Sequence, residues 1–134
     1  MPRASIQRFQ PYVLSLLRIV SGCTFLLHGL QKLFGAFGGI GGHGTPARLD
    51  SLLGIAGILE TIGGLLIVAG FFTRPVAFIL CGEMAFAYVT RHAPRAAWPI
   101  VNGGELAVLY CFIFLLLCVA GAGPLSLDWL IRKR

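Results

Sequence analysis

Four stretches of the chain, 11–34, 51–72, 75–90 and 104–120, are apolar almost throughout, and polar or helix-breaking residues separate them. The breaks fall at the glycine-rich 35–46, at Thr73-Arg74-Pro75, at 94–104 and at 121–124. Glycine and proline at such joints punctuate helices, and Pro75 suits a first helical turn. A helix needs ~20 mainly apolar residues to cross a bilayer. The first, second and fourth stretches meet this once interfacial residues are counted. The third is shorter, but Arg74 and Arg91 flank it and can extend their charges to the two surfaces. The pattern predicts an all-α protein, an integral membrane four-helix bundle forming a single domain over 1–134. A short further segment, 125–134, carries Trp129 and ends in Arg132-Lys133-Arg134, which suits the membrane–water interface.

Composition narrows the picture. With 57% hydrophobic and 12% charged residues and a mean hydropathy of +0.84, a soluble domain of this length would lack the polar side chains to cover its surface. The net charge of +6 does not mark a nucleic-acid binder, because the cations stand at segment ends and act as topology signals. Arg3, Arg8, Arg74, Arg132, Lys133 and Arg134 fall on one side, against Arg48, Arg91 and Arg95 on the other. This bias places both termini in the cytoplasm and the chain in the cell inner (plasma) membrane as a multi-pass protein. A cleavable signal peptide fits poorly: the first apolar run is too long, Arg18 interrupts it and no small-residue cleavage site ends it. It is read as a retained helix.

Several motifs promise more than they deliver. Gly39-Ile40-Gly41-Gly42-His43-Gly44 satisfies G-x-G-x-x-G, but a dinucleotide site needs a strand before it and a helix after it. Here a membrane segment precedes and Pro46 follows, so a flexible loop is expected. His28, His43 and His92 lack metal-ligand spacing, and no metal is expected. Cys23, Cys81, Cys111 and Cys118 all lie inside apolar runs without a Cys-x-x-Cys pair, as small packed hydrophobes do. Cys111 and Cys118, seven apart, share a helix face but are too distant to bridge.

The informative residues are the polar ones inside the apolar segments. A central charge costs ~3 kcal/mol on insertion, which the Leu, Ile, Val and Phe of the second segment outweigh at ~0.3–0.6 kcal/mol each. Such a residue normally turns inward and finds a partner. At 100° per residue, Arg18 and Lys32 differ by about 40° and Arg18 and His28 by about 80°, so all three line one side of the first helix. Gly57, Glu60, Thr61 and Gly64 share a face of the second, where small residues allow close approach. Glu60 and Glu83 fall near the midplane, and Glu105 opens the fourth helix. Expected pairings are Arg18 with Glu60 or Glu83, and His28 or Lys32 with Glu105; such neutralised pairs either only fix helix register or form a functional polar pocket or proton path. At the C-terminus, Asp128 is expected to pair with a neighbouring cation.

An ordered set of pieces resembles the DoxX family of small four-helix membrane proteins. The pieces are Leu17-Arg18, His28-Gly29-x-x-Lys32-Leu33-Phe34-Gly35, Glu60-x-x-Gly63-Gly64, Gly70-x-x-Thr73-Arg74, Glu83-Met84, Asn102-Gly103-x-Glu105, Gly121-x-Gly123-Pro124 and Ser126-Leu127-Asp128. The glycine-rich outer loop departs from the acidic or aromatic loop usual in that family. The resemblance implies a membrane partner of redox or detoxification enzymes, since the family includes a membrane subunit of archaeal thiosulfate:quinone oxidoreductase and a mycobacterial protein in complex with superoxide dismutase and a sulfurtransferase. It also implies Arg18, His28, Lys32, Glu60, Glu83 and Glu105 as pocket candidates. The expected role is a redox-associated membrane subunit, with no covalent cofactor, that holds a quinone or a sulfur-linked small molecule in a polar pocket. His28, Lys32 and Arg18 would donate hydrogen bonds and Glu60 or Glu83 would relay protons. The alternatives are a non-catalytic anchor for a soluble oxidoreductase and a proton or small-solute transporter, the latter acting as a homo-oligomer.

Overall fold

The computed structural model describes the backbone of residues 3–133 and the side chains of residues 5–133. Arg134, at the end of the expected interfacial segment, and the side chain of Arg3, which entered the charge count, lie outside the described residues. The described chain is all helix and connection. Its elements are α1 (Arg3–Gln7), α2 (Gln10–Phe34), α3 (Leu52–Ala69), α4 (Thr73–Ala87), α5 (Pro99–Asn102), α6 (Glu105–Ala120) and α7 (Leu127–Arg132). A π-helical turn, Tyr88–His92, continues α4. Two 3₁₀ turns, Ala36–Gly38 and Ile40–Gly42, fill the glycine-rich loop. By length and composition, α2 and α3 are long and apolar enough to cross a membrane, whereas α6 is apolar but shorter.

α2 packs mainly on α3, α4 on α6, and α3 joins the two pairs. The α2–α3 contact is set by glycine. Gly22 and Gly29 recur one heptad apart on α2, as Gly57 and Gly64 do on α3. A Cβ on Gly29 would run into the backbone of Glu60 and Thr61, and one on Gly64 would lie 2.9 Å from the Leu26 Cα. Without side chains at these points the two backbones approach closely, which is how helices gain packing energy where burial from water gives none. The core lies where the helices meet. Phe25 of α2 sits 4.8 Å from Phe114, edge-on, and 5.0 Å from Tyr110 of α6, tilted, ring centre to ring centre, contacts worth ~0.5–1.5 kcal/mol each beyond area burial. Leu80 of α4 fills the space left by Gly63.

The exterior is apolar instead of the interior alone. Leu16, Val20, Ile62, Phe78, Phe112 and Leu116 are all largely exposed, while Ser15, Arg18, Ser21, Glu60, Thr73 and Asn102 are buried. A soluble fold does not distribute its residues this way.

The end of the bundle that carries both termini is closed by a clasp. α3 stops at Gly70, whose left-handed backbone (φ 66°) returns its N–H to the Ile67 carbonyl at 3.1 Å. A side chain there would also strike Ser126 and the Arg18 guanidinium. Arg18, fully buried, donates Nε to the Ala122 carbonyl at 2.9 Å, Nη1 to the Ile67 and Val68 carbonyls, and Nη2 to the Leu125 carbonyl. It thereby satisfies carbonyls that a helix end leaves open. Arg74 does the same for α6, donating to the Cys118 and Val119 carbonyls. The Asp128 carboxylate accepts the Phe72 and Thr73 N–H groups, both at 2.9 Å, and so caps the start of α4. The C-terminal segment is therefore hydrogen-bonded into the fold as well as placed at its end. Asp128 bonds to backbone donors here, in place of the expected cation, because the first turn of α4 offers two free N–H groups at that point.

Candidate functional site

Towards the other end of the bundle, α2 and α3 bring two opposite charges together. α2 runs on for a full turn past His28, and Gly57 on α3 leaves room for the Lys32 stem, with a Cβ there only 2.9 Å from the Lys32 Cβ. The Lys32 Nζ reaches back along α2 and donates to Glu60 Oε1. The Glu60 side chain is 3% exposed and that of Lys32 19%, so this is a buried pair. The other salt bridge among the described residues, Arg48–Asp50, is on the surface.

Glu83 on α4 completes the cluster, within electrostatic range of both Glu60 and Lys32. Its two carboxylate oxygens and Glu60 Oε2 are buried without a hydrogen-bond partner. Buried polar atoms are nearly always partnered, and those that are not call for an explanation. The formal charges are two negative and one positive, so the cluster lacks one proton or hydrogen-bond donor set. His28, half-buried one turn before Lys32, lies within range of its charge and meets the Tyr110 ring edge-on at 6.1 Å. The Tyr110 hydroxyl donates to Thr24 Oγ1 at 2.8 Å, tying α6 to α2 beside this group.

The structure thus unites Lys32, Glu60 and Glu83, with His28 adjacent, and separates the other two candidates. Arg18 stands at the clasp, bonded to carbonyls, and the expected Arg18–Glu60 or Arg18–Glu83 pair does not form. Four peptide carbonyls already take up its donors. Glu105 is exposed at the first position of α6, where a carboxylate complements the positive helix end. Lys32 pairs with Glu60 in its stead. Asn102 organises the loop before Glu105: its Nδ2 donates to the Ala96 carbonyl at 2.9 Å and its Oδ1 accepts from the Gly104 N–H at 2.8 Å. His43 is exposed in the glycine loop, and His92 Nδ1 is 3.1 Å from the Asn102 carbonyl. Among the described residues no three His, Cys, Asp or Glu side chains form a metal-binding group. The Thr24–Tyr110 bond has one signal in the sequence, an isolated tyrosine in the fourth apolar run. Two cavities, of about 360 and 240 Å³, open near the clasp beside Pro124 and Ser126. Neither is lined by His28, Lys32, Glu60 or Glu83.

Set against known proteins, residues 13–93 match the family profile described as DoxX. The chain belongs to the DoxX family. The matched span includes Arg18, His28, Lys32, Glu60 and Glu83. Full-length relatives agree. A Haemophilus influenzae protein described only as uncharacterised is 41% identical over 92% of this chain and 94% of its own length. The Escherichia coli "Inner membrane protein YphA" is 30% identical over 89% and 90%. The Bacillus subtilis "Putative oxidoreductase CatD" is 28% identical over 88% and 86%. No solved structure matches significantly. With its apolar exterior and two membrane-length helices, this DoxX protein is a membrane protein.

Proposed function

We propose that the chain is a single four-span domain in the cell inner membrane, with both termini in the cytoplasm. In this proposal the Lys32–Glu60–Glu83 cluster, flanked by His28, binds a quinone-type or sulfur-linked small molecule and exchanges protons with it. The protein would serve as the membrane subunit of an oxidoreductase. α4 with its π-helical continuation and α6 supply the third and fourth spans, since the helical path from Thr73 reaches His92. At ~1.5 Å per residue α6 is about 24 Å long, which a bilayer accommodates by modest local thinning.

The observation that carries this proposal is the set of orphaned oxygens on Glu60 and Glu83. A quinone-type headgroup fits them. In its oxidised form the carbonyls take hydrogen bonds from Lys32, which has donors beyond the one given to Glu60, and from His28. In its reduced form the two hydroxyls donate to the Glu83 carboxylate and to Glu60 Oε2. Glu83, the carboxyl outside the ion pair, relays to the ring oxygens the two protons that reduction consumes, taking each in turn from the aqueous side, and His28 and Lys32 orient the ring. Electrons arrive from a partner oxidoreductase, and the name of the Bacillus subtilis relative agrees with such a setting. Titration of the nanodisc-reconstituted protein with decylubiquinone tests this. Saturable binding weakened at least tenfold by Glu83→Gln and by His28→Ala, with helicity intact, is expected. Binding that is absent, or equal in wild type and both variants, refutes it. One observation favours the alternative of a non-catalytic anchor: neither cavity at the clasp reaches the cluster. In that case Glu83→Gln leaves oxidoreductase turnover untouched, while disruption of the clasp at Asp128 releases the partner.

A further inference from the structure

Cys81 and Cys111 belong to the two helices that pack most closely in their half of the bundle, α4 and α6. Thirty positions separate them in sequence, yet their sulfurs lie 3.7 Å apart and face each other. Both are free and only partly buried, with the lipid-facing Phe78 and Phe112 close by in sequence. A disulfide needs ~2.05 Å, and the remaining gap of roughly 1.7 Å is within reach of side-chain rotation when the helices are already in contact. Neither of the other two cysteines competes. Cys118 sits two turns along α6 from Cys111, and Cys23 is exposed on α2.

From this juxtaposition we infer that Cys81 and Cys111 form a reversible inter-helix disulfide, a redox modification site in the apolar half of α4 and α6. The oxidant must be uncharged to reach thiols at this depth, and hydrogen peroxide meets that condition. One thiol attacks the peroxide: the O–O bond breaks, the sulfur becomes a sulfenic acid and one water leaves. The second thiol then attacks the sulfenic sulfur. The S–S bond forms, the S–O bond breaks, and the oxygen departs as a second water with the proton of the attacking thiol. Two thiols lose two electrons in all, and one peroxide becomes two waters. The bond would fix α4 against α6 two residues from Glu83, yet its formation requires no bound quinone, so it stands independently of the proposed function.

The test treats the full chain in vesicles with hydrogen peroxide, alkylates the remaining thiols with N-ethylmaleimide and maps the products by mass spectrometry. The expected result is a fall from four alkylatable cysteines to two, a mass lower by two hydrogens before alkylation, a peptide joining Cys81 to Cys111, and full reversal by a phosphine reductant. The bond persists in Cys23→Ser/Cys118→Ser and is lost in Cys81→Ser and in Cys111→Ser. An unchanged thiol titre, over-oxidation of Cys81 or Cys111 without a cross-link, or bridging through Cys23 between two copies would each overturn the inference.

Discussion

Replacing Lys32 by methionine should cost far more than replacing its partner Glu60 by glutamine. The asymmetry follows from the third group. Lys32 is the cation of the only buried ion pair among the described residues, and two carboxylates act on it. Lys32→Met keeps the stem's volume but leaves Glu60 and Glu83 within electrostatic range of each other with the balancing charge gone. Removing one partner of a buried pair costs ~3–5 kcal/mol. Glu60→Gln keeps the shape and an acceptor, and the freed ammonium can turn to Glu83, whose oxygens have no other partner. The residual cost is that of a weakened hydrogen bond, ~1–2 kcal/mol. The triple variant Lys32→Met/Glu60→Leu/Glu83→Leu removes all three charges and should return to within about 1.5 kcal/mol of wild type, since an apolar replacement of a buried charge group is often close to neutral. Unfolding by SDS in mixed micelles, followed by far-UV circular dichroism, measures all three. A Glu60→Gln loss equal to or above that of Lys32→Met would refute the three-group geometry. So would a Lys32→Met protein as stable as wild type.

Two further outcomes probe the frame around the site. Gly29→Ala should destabilise by ~1–3 kcal/mol in the same assay, because the added methyl meets the Glu60 and Thr61 backbone and forces α2 off α3. Asp128→Ala should cost ~1–2 kcal/mol through the two N–H groups of α4 it leaves uncapped, whereas Glu105→Gln, on the surface, should stay within about 0.5 kcal/mol of wild type.

How much of this could be read from the sequence differs from residue to residue. The inward face of α3 was legible, because Gly57, Glu60, Thr61 and Gly64 share one angular position and a charge among small residues has nowhere else to go. The direction of Lys32 was not. Near the end of an apolar run it can reach either the interface or the core, and only the α2–α3 register, fixed by Gly29 and Gly57, decides between them. For Arg18 and Asp128 the sequence points to ionic partners, because it displays side chains and conceals free helix ends. Both are spent on backbone groups, Arg18 on the carbonyls where α3 and α6 stop and Asp128 on the N–H groups where α4 starts. The family motifs around Gly70, Thr73, Gly123 and Ser126 make sense once these joints are seen meeting at one end. The contact between Cys81 and Cys111 depends on how α4 lies against α6, which no spacing along the chain encodes.

The account stands on Glu83 being buried and unpaired beside the Lys32–Glu60 ion pair. Dicyclohexylcarbodiimide, an apolar reagent that modifies carboxyl groups reached from the lipid phase, tests this directly when its adducts on the membrane-embedded protein are mapped by peptide mass spectrometry. The adduct should form on Glu83 in the wild type and should extend to Glu60 only when Lys32 is replaced by methionine. Equal labelling of Glu60 and Glu83 in the wild type, or an unlabelled Glu83, would contradict it.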